Sequence, residues 1–236
     1  MLNHKSLVLK IQRGFTLAEV LITLGIIGVV AAMTLPTVIN NSKSKENEAL
    51  LKKAYSTLSQ AITAMEYDMG TTITPPSDND YTFVANFKNY FRLYASCNSS
   101  NCISSESGVD EDGNSFWGKY PDYKTFDKNN VITSNQFFDN GTMVFSDSML
   151  LMIEAHQSRL YLTVDVNGVN HKPNVWGQDL FTFQITKKGK FLPMGAEGTD
   201  YTDTNQYCSM KSSHKSNGIA CTYKALTDPN YFKQFR

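Results

Sequence analysis

The sequence has no excess of charge of either sign, because its 236 residues include 22 Lys and Arg and 22 Asp and Glu. Nucleic-acid-binding domains usually carry a basic face, so this balance indicates no nucleic-acid partner. Enzyme motifs are missing as well: the sequence has no HExxH, no Gly-x-Ser-x-Gly and no P-loop pattern. We therefore expect that the chain is not an enzyme.

Cysteine is also scarce. The four cysteines lie beyond the first third of the chain, and no CxxC pair is present to indicate a zinc site. They fall as two near pairs, Cys97 with Cys102 and Cys208 with Cys221. Such pairs are typical of disulfides formed in an oxidising compartment, and four free buried thiols are the alternative.

One long apolar run is present, at residues 15–35, and Glu19 is its only formal charge. As a helix rising about 1.5 Å per residue, the run spans roughly 30 Å, which is about one hydrocarbon core. Residues 1–14 are polar and include Lys10 and Arg13, as in a targeting leader. Because no A-x-A cleavage site ends the run, we expect residues 1–14 to be a leader and the run to be retained.

The helix is predicted to continue past the apolar run. Pro36 lacks a backbone donor, which predicts a kink, and residues 37–70 then have an amphipathic pattern that ends at Gly70. Residues 15–69 are thus predicted as one helix of about 80 Å. Its second half carries an apolar stripe at spacings of three and four: Leu50, Ala54, Leu58, Ala61, Ile62, Met65 and Met69.

Residues 71–236 are predicted to form a globular α+β head. Apolar residues at helical spacing predict a short helix over 84–94, followed by a Ser- and Asn-rich loop. Beyond residue 140, five short segments rich in β-formers predict an antiparallel sheet of about four or five strands, with the long helix packed on it. From about Gly195 onward, we expect a polar loop region closed by the second cysteine pair. The five strand segments are 141–146, 149–155, 159–165, 180–186 and 190–194.

The stretch RGFTLAEVLITLGIIGVVAAMTLP resembles the N-terminus of type IV pilins and type II secretion pseudopilins. The resemblance rests on a basic leader that ends in Gly14, then Phe15, Glu19 and an apolar helix that runs to Pro36. It implies a pilin-like fold and cleavage between Gly14 and Phe15 by the prepilin peptidase, which also methylates the Phe15 amine. It further implies that the processed subunit is held in the bacterial inner membrane before assembly, with its head in the periplasm. An inner-membrane assembly platform then packs such subunits with copies or relatives into a pilus or pseudopilus fibre, which can reach the cell surface.

The resemblance also implies roles for single residues. The Glu19 carboxylate meets the N-terminal amine of a neighbouring subunit and so acts in assembly. Gly28 and Pro36 bracket a stretch in which the helix breaks on assembly, and the small residues Gly25 and Gly28 allow helices to approach closely. The loop between Cys208 and Cys221 corresponds to the disulfide-bounded loop of pilins.

No cofactor is expected, and calcium is the one metal that the sequence suggests. Some major pseudopilins bind calcium near the C-terminus, and Asp165, Asn167 and Asp179 could supply oxygen ligands here. The EF-hand spacing around Gly168 fails, however, since neither expected acidic position is acidic. The alternative is an Asn-Gly turn whose two aspartates bond backbone amides.

The sequence therefore predicts four regions: a leader at 1–14, a membrane and assembly segment at 15–36, an amphipathic helix at 37–70 and a head at 71–236. It predicts a structural subunit of a type IV pilus (fimbrium) or a type II secretion pseudopilus. The alternative is a membrane-anchored periplasmic enzyme or binding protein that keeps an uncleaved N-terminal helix.

Overall fold

A single helix, α1, occupies Leu17–Met69 and is the first element of the computed structural model. Its 53 residues correspond to a length of about 80 Å, as the sequence predicts. Gly70 ends it in the left-handed conformation, with φ 66°, and donates its N–H to the Tyr67 carbonyl. Glycine suits this position because it lacks the Cβ that disfavours positive φ.

The structure describes residues 14–77, 81–97, 108–109, 115–116, 123–132, 137–138, 140–168 and 170–235.

The first half of α1 is apolar and uncovered. Leu17–Leu35 is long and apolar enough to cross a membrane, and the described residues bury none of it. The helix continues through Gly28 and Pro36. The predicted break at these two residues is therefore absent from the isolated chain, and its formation on assembly stays a prediction.

The second half of α1 buries one stripe against the head. The prediction is wrong at both ends of the stripe: Leu51 replaces Leu50 as the fully buried leucine, and Met69 is half exposed. The members between these two ends are buried as predicted, and they lie on the face of the helix that meets the sheet. The buried members are Leu51, Ala54, Leu58, Ala61, Ile62 and Met65.

A six-stranded antiparallel sheet forms the centre of the head, with strand order β1-β4-β5-β6-β7-β8. All five predicted strands are present, and the turns between them use residues with positive φ, including Ser148, Gln157 and Gly189. A separate two-stranded ribbon pairs β2 with β3. The strands are β1 Leu93–Cys97, β2 Gly108–Val109, β3 Ser115–Phe116, β4 Gly141–Phe145, β5 Leu150–His156, β6 Arg159–Asp165, β7 Leu180–Ile185 and β8 Phe191–Pro193.

The sixth strand corrects the prediction of a helix over 84–94. Helix α2 covers Tyr81–Phe87, a 3₁₀ turn follows at Lys88–Tyr90, and the chain then extends into β1. Strand β1 pairs with β4 at the sheet edge, with Cys97 opposite Thr142. Pairing with the edge of β4 therefore makes a strand of a segment whose apolar spacing favours a helix.

Both faces of the sheet are buried, so the core has two layers. Leu151, Ile153 and Phe183 lie in the layer under α1. Leu150 and Met152 point to the opposite face, where they join a second cluster. Residues from outside the sheet cover that second face: Tyr123, Ile132, Phe137, Phe138, Trp176, Met194 and Ile219.

The C-terminal region contains short helices, and the prediction of a polar loop is wrong there. Helix α3 covers Thr204–Tyr207, α4 covers Cys221–Thr227, and a 3₁₀ helix covers Tyr231–Phe235. Tyr231 and Phe232 are buried in the layer that α1 shares. The last residues therefore help to fix the second half of α1 on the head.

Candidate functional site

The start of α1 is organised around Thr16 and Glu19. Thr16 is the N-cap residue, and its Oγ1 accepts a hydrogen bond of 3.2 Å from the Glu19 N–H. In return, the Thr16 backbone N–H and hydroxyl each donate to Glu19 Oε2 at 2.8 Å. This capping box satisfies donors that the helix leaves unpaired at its first turn. It also holds the carboxylate beside Phe15, next to the predicted cleavage site.

The residues that follow expose apolar side chains all round. Phe15 is 89% exposed and Met33 is 74% exposed, and the side chains between them are similarly uncovered. The two hydroxyls in this segment bond the helix itself: Thr23 donates to the Val20 carbonyl at 2.9 Å, and Thr34 to the Val30 carbonyl at 3.0 Å. Because its polar groups are internally satisfied, the segment suits a lipid environment or a bundle of helices.

The glycines of this segment stand in open space. In the part of the chain that the structure describes, no atom lies within 4 Å of the position that a Cβ would take at Gly14, Gly25 or Gly28. A second helix or an enzyme can therefore approach the backbone closely at these points.

The comparison with protein families agrees with this geometry. The family model described as the prokaryotic N-terminal methylation motif matches residues 9–35. This motif is the signature of type IV pilins and pseudopilins. The match supports a type IV pilin-like or pseudopilin substrate of the prepilin peptidase. Comparison with curated proteins and with solved structures found no significant match.

Thr16 is the residue of the methylation motif that the sequence reasoning missed. The pattern Thr-x-x-Glu at residues 16–19 is a capping-box signature, and it precedes an apolar run. The signal was therefore present in the sequence. Its consequence is that Glu19 has partners within its own chain before any other subunit is present.

The calcium candidates lie together in the head, in the arrangement that the turn alternative predicts. Asp165 Oδ1 accepts from the Gly168 N–H at 2.9 Å, and Asp179 accepts from two backbone N–H groups at 2.7 Å. The Asn167 amide donates to Asp179 at 3.4 Å. Among the described residues, no group of three or more His, Cys, Asp or Glu is placed to hold a metal. Calcium binding by these oxygens stays a prediction.

The two aspartates are fully buried, which changes their acidity. Burial, with the nearby Asp179 carboxylate as the second cause, raises the pKa of Asp165 to about 7. Burial also raises the pKa of Asp179 to about 6, against the opposing effect of its backbone donors. The Tyr123 hydroxyl donates to Asp165 Oδ2 at 2.6 Å and ties the pair to the second core layer.

The second cysteine pair is confirmed as a disulfide. Cys208 and Cys221 are bonded, with Cα atoms 5.0 Å apart, and both are buried. The bond joins the end of α3 to the start of α4. Cys102 lies outside the described residues, so its pairing with Cys97 stays a prediction.

Proposed function

We propose that this chain is a structural subunit of a type IV pilus or a type II secretion pseudopilus. The observation that carries the proposal is the methylation motif at 9–35, together with a helix whose apolar side chains at Leu17–Leu35 no described residue covers. The prepilin peptidase cuts between Gly14 and Phe15 and methylates the Phe15 amine. The chain has no catalytic role and polymerises through α1.

The exposed apolar surface supports polymerisation. In the subunit before assembly, the Leu17–Leu35 segment is covered by the inner membrane and the head lies in the periplasm. An assembly platform then moves the subunit into the fibre, where other α1 helices replace the lipid. The open space at Gly25 and Gly28 allows the close helix contacts that this packing needs.

Glu19 sets the register of that packing. In the isolated chain the carboxylate is bonded by the neutral donors of Thr16. In the fibre it meets the Phe15 amine of a neighbouring subunit, which is a stronger, charge-assisted partner. A misregistered subunit leaves a charge without its partner among apolar helices, which disfavours the wrong packing.

The substitution Gly14→Val tests processing. Because no atom of the residues from 14 onward that the structure describes lies near the Gly14 Cβ position, the fold of the head tolerates the larger residue and only the approach of the peptidase is obstructed. We expect the variant to remain full length in membranes, whereas wild type begins at a methylated Phe15 by mass spectrometry. Ala32→Val, at another exposed small residue, is the matched control and is cleaved normally. A mature wild-type chain that begins at Met1, without filaments, supports the alternative of an anchored enzyme or binding protein.

The pair Glu19→Ala and Glu19→Gln tests assembly. Glutamine keeps the capping box but removes the charge, whereas alanine removes both. We expect both variants to be cleaved after Gly14 and both to be nearly absent from sheared filaments. If the Gln variant enters filaments at wild-type levels, Glu19 acts as a helix cap and the register role is wrong.

A further inference from the structure

Three lysines from distant parts of the sequence line one cleft beside α1. Lys43 comes from the helix, and Lys128 and Lys172 come from loops of the head. The cleft has a volume of about 340 Å³ and an aromatic wall that includes Phe235. None of the described residues that line it is an Asp or a Glu. We refer to this feature, defined by Lys43, Lys128 and Lys172, as the lysine cleft.

The charges of the lysine cleft are not neutralised within the described part of the chain. The ion pairs there join Lys52 to Glu48, Lys53 to Asp147 and Arg159 to Glu154. The acidic residues nearest in sequence are Glu46 and Asp127. Glu46 and Asp147 line the adjoining cleft, which shares Lys43 and Lys172, and Asp147 is paired with Lys53. The Asp127 carboxylate accepts hydrogen bonds from Thr125 and Asn129. Three exposed lysines that take part in none of these ion pairs therefore line one space that suits an anion.

The position of the lysine cleft along α1 indicates which anion. Exposed apolar side chains extend along the helix as far as Val38 and Ile39, which are 62% and 49% exposed. Lys43 follows Ile39 by one helical turn, or about 6 Å. The headgroup layer on each side of a bilayer is roughly 5–8 Å thick. From residue 15 to Ile39 the helix rises about 36 Å, which a hydrocarbon core of about 30 Å accommodates when the helix is tilted. With Ile39 at the edge of the core, the cleft is at the level of the headgroup phosphates.

We propose that the lysine cleft binds the phosphate of an anionic phospholipid at the membrane surface from which α1 emerges. This inference rests on the proposed membrane anchoring of the subunit. The contact holds the head in one orientation on the bilayer before assembly. It is lost when the subunit leaves the membrane for the fibre.

The chain provides an internal control at its other end. The β7–β8 hairpin carries three lysines, Lys187, Lys188 and Lys190. This hairpin lies near the end of α1, because a Cβ at Gly189 would be 2.0 Å from the side chain of Thr72, which follows the helix. From Lys43 to the end of α1 is about 40 Å of helix. These three lysines match the lysine cleft in number and lie far from the membrane, although Glu197 and Asp200 line the same part of the surface.

The full chain in lipid nanodiscs tests the inference. Lysine acylation rates are measured by peptide mass spectrometry in phosphatidylcholine discs, with and without phosphatidylglycerol. We expect phosphatidylglycerol to slow acylation of Lys43, Lys128 and Lys172 by about five-fold, the effect of one favourable lipid contact per lysine. The hairpin lysines should be unchanged, and the protection should weaken with added salt.

Three results overturn the inference. Equal protection by inorganic phosphate in neutral discs shows a site for free anions. Absence of protection in a chain that co-purifies with the discs refutes the lipid site and leaves the proposed function intact. Failure of the chain to insert into the discs contradicts membrane anchoring, on which both this inference and the proposed function depend. Native mass spectrometry adds a variant test: replacement of the three cleft lysines by Gln should abolish phosphatidylglycerol retention, whereas the same change in the hairpin should not.

Discussion

The buried pair Asp165 and Asp179 makes the stability of the head depend on pH. Both carboxyls are fully buried, and burial raises both pKa values, to about 7 and about 6. The folded chain therefore keeps protons that the unfolded chain releases near pH 4. A group with a raised pKa stabilises the fold at low pH and loses that contribution as pH rises through its folded pKa. We expect stability to fall as pH rises from about 4 to about 7.

The size of the effect follows from the shift. The Asp165 pKa moves from 3.8 to about 7, and one pKa unit corresponds to about 1.4 kcal/mol. The loss is therefore at most roughly 4 kcal/mol for this residue, and less where the two carboxyls share one proton. The Asp147 carboxyl affects stability outside this range of about pH 4 to 7. Its burial is outweighed by the Lys53 contact and by backbone donors, so its pKa is lowered and its contribution changes below about pH 4.

Urea unfolding in a neutral detergent measures this dependence, followed by tryptophan fluorescence, since Trp176 is fully buried in the head. Asp165→Asn keeps an oxygen to accept from the Gly168 N–H but cannot ionise, so its profile between about pH 4.5 and 7.5 should be flatter. Asp68→Asn, an exposed carboxylate bonded by the Tyr90 hydroxyl, is the matched control and should follow wild type. A wild-type midpoint that rises over this range, or an Asp165→Asn slope equal to that of wild type, refutes the reasoning.

Three further changes should lower stability in the same assay. Replacing Cys208 and Cys221 by Ser opens a loop with a sequence separation of 13 and should cost about 3 kcal/mol; a midpoint insensitive to reductant in wild type would contradict this. Leu58→Ala removes a fully buried side chain between α1 and the sheet and should cost roughly 2–5 kcal/mol, with a shift under about 1 kcal/mol counting against the packing described. Gly218→Ala places a Cβ 2.4 Å from the Cβ of Trp176, at φ 113°, and should be strongly destabilising. Gly198→Ala is also at positive φ but has no close contacts, so it should be milder. Equal effects of the two changes would show that the clash is unimportant.

The strands that the sequence predicts correctly are those with local signals. The five segments from β4 to β8 combine β-forming residues with turn residues, so each can be recognised within its own length. Strand β1 has no such signal, because its apolar residues continue the helical spacing of α2. Pairing with β4 decides its conformation, and that pairing spans more than 40 residues.

The second core layer was missed because its strands carry polar residues that resemble a solvent face. Thr163 and Thr182 are fully buried and bond each other at 2.9 Å, and the Trp176 indole donates to Thr182 at 3.0 Å. The Gln184 side chain accepts from the Asp200 N–H at 2.8 Å. Once paired in this way, polar side chains can be covered, and composition alone does not distinguish them from exposed ones.

The candidate sites differ in the same respect. Gly14, Phe15 and Glu19 lie within six residues of one another, and Thr16 lies among them, so a motif can specify all four. Lys43, Lys128 and Lys172 are separated by 85 and 44 residues. Only the packing of two head loops against α1 brings these lysines to one cleft.

The capping box changes the physical account of why an apolar helix tolerates Glu19. Two neutral donors of Thr16 hold the carboxylate, so the helix start does not depend on a second subunit to satisfy it. These bonds are local and reversible, because a Thr-to-carboxylate contact three residues away reforms whenever no better partner is present. An ammonium group from another subunit is a better partner, since its attraction to a carboxylate strengthens where water is excluded. In the proposed assembly, Thr16 keeps Glu19 satisfied before docking with contacts weak enough to be exchanged, and correct docking supplies the stronger partner.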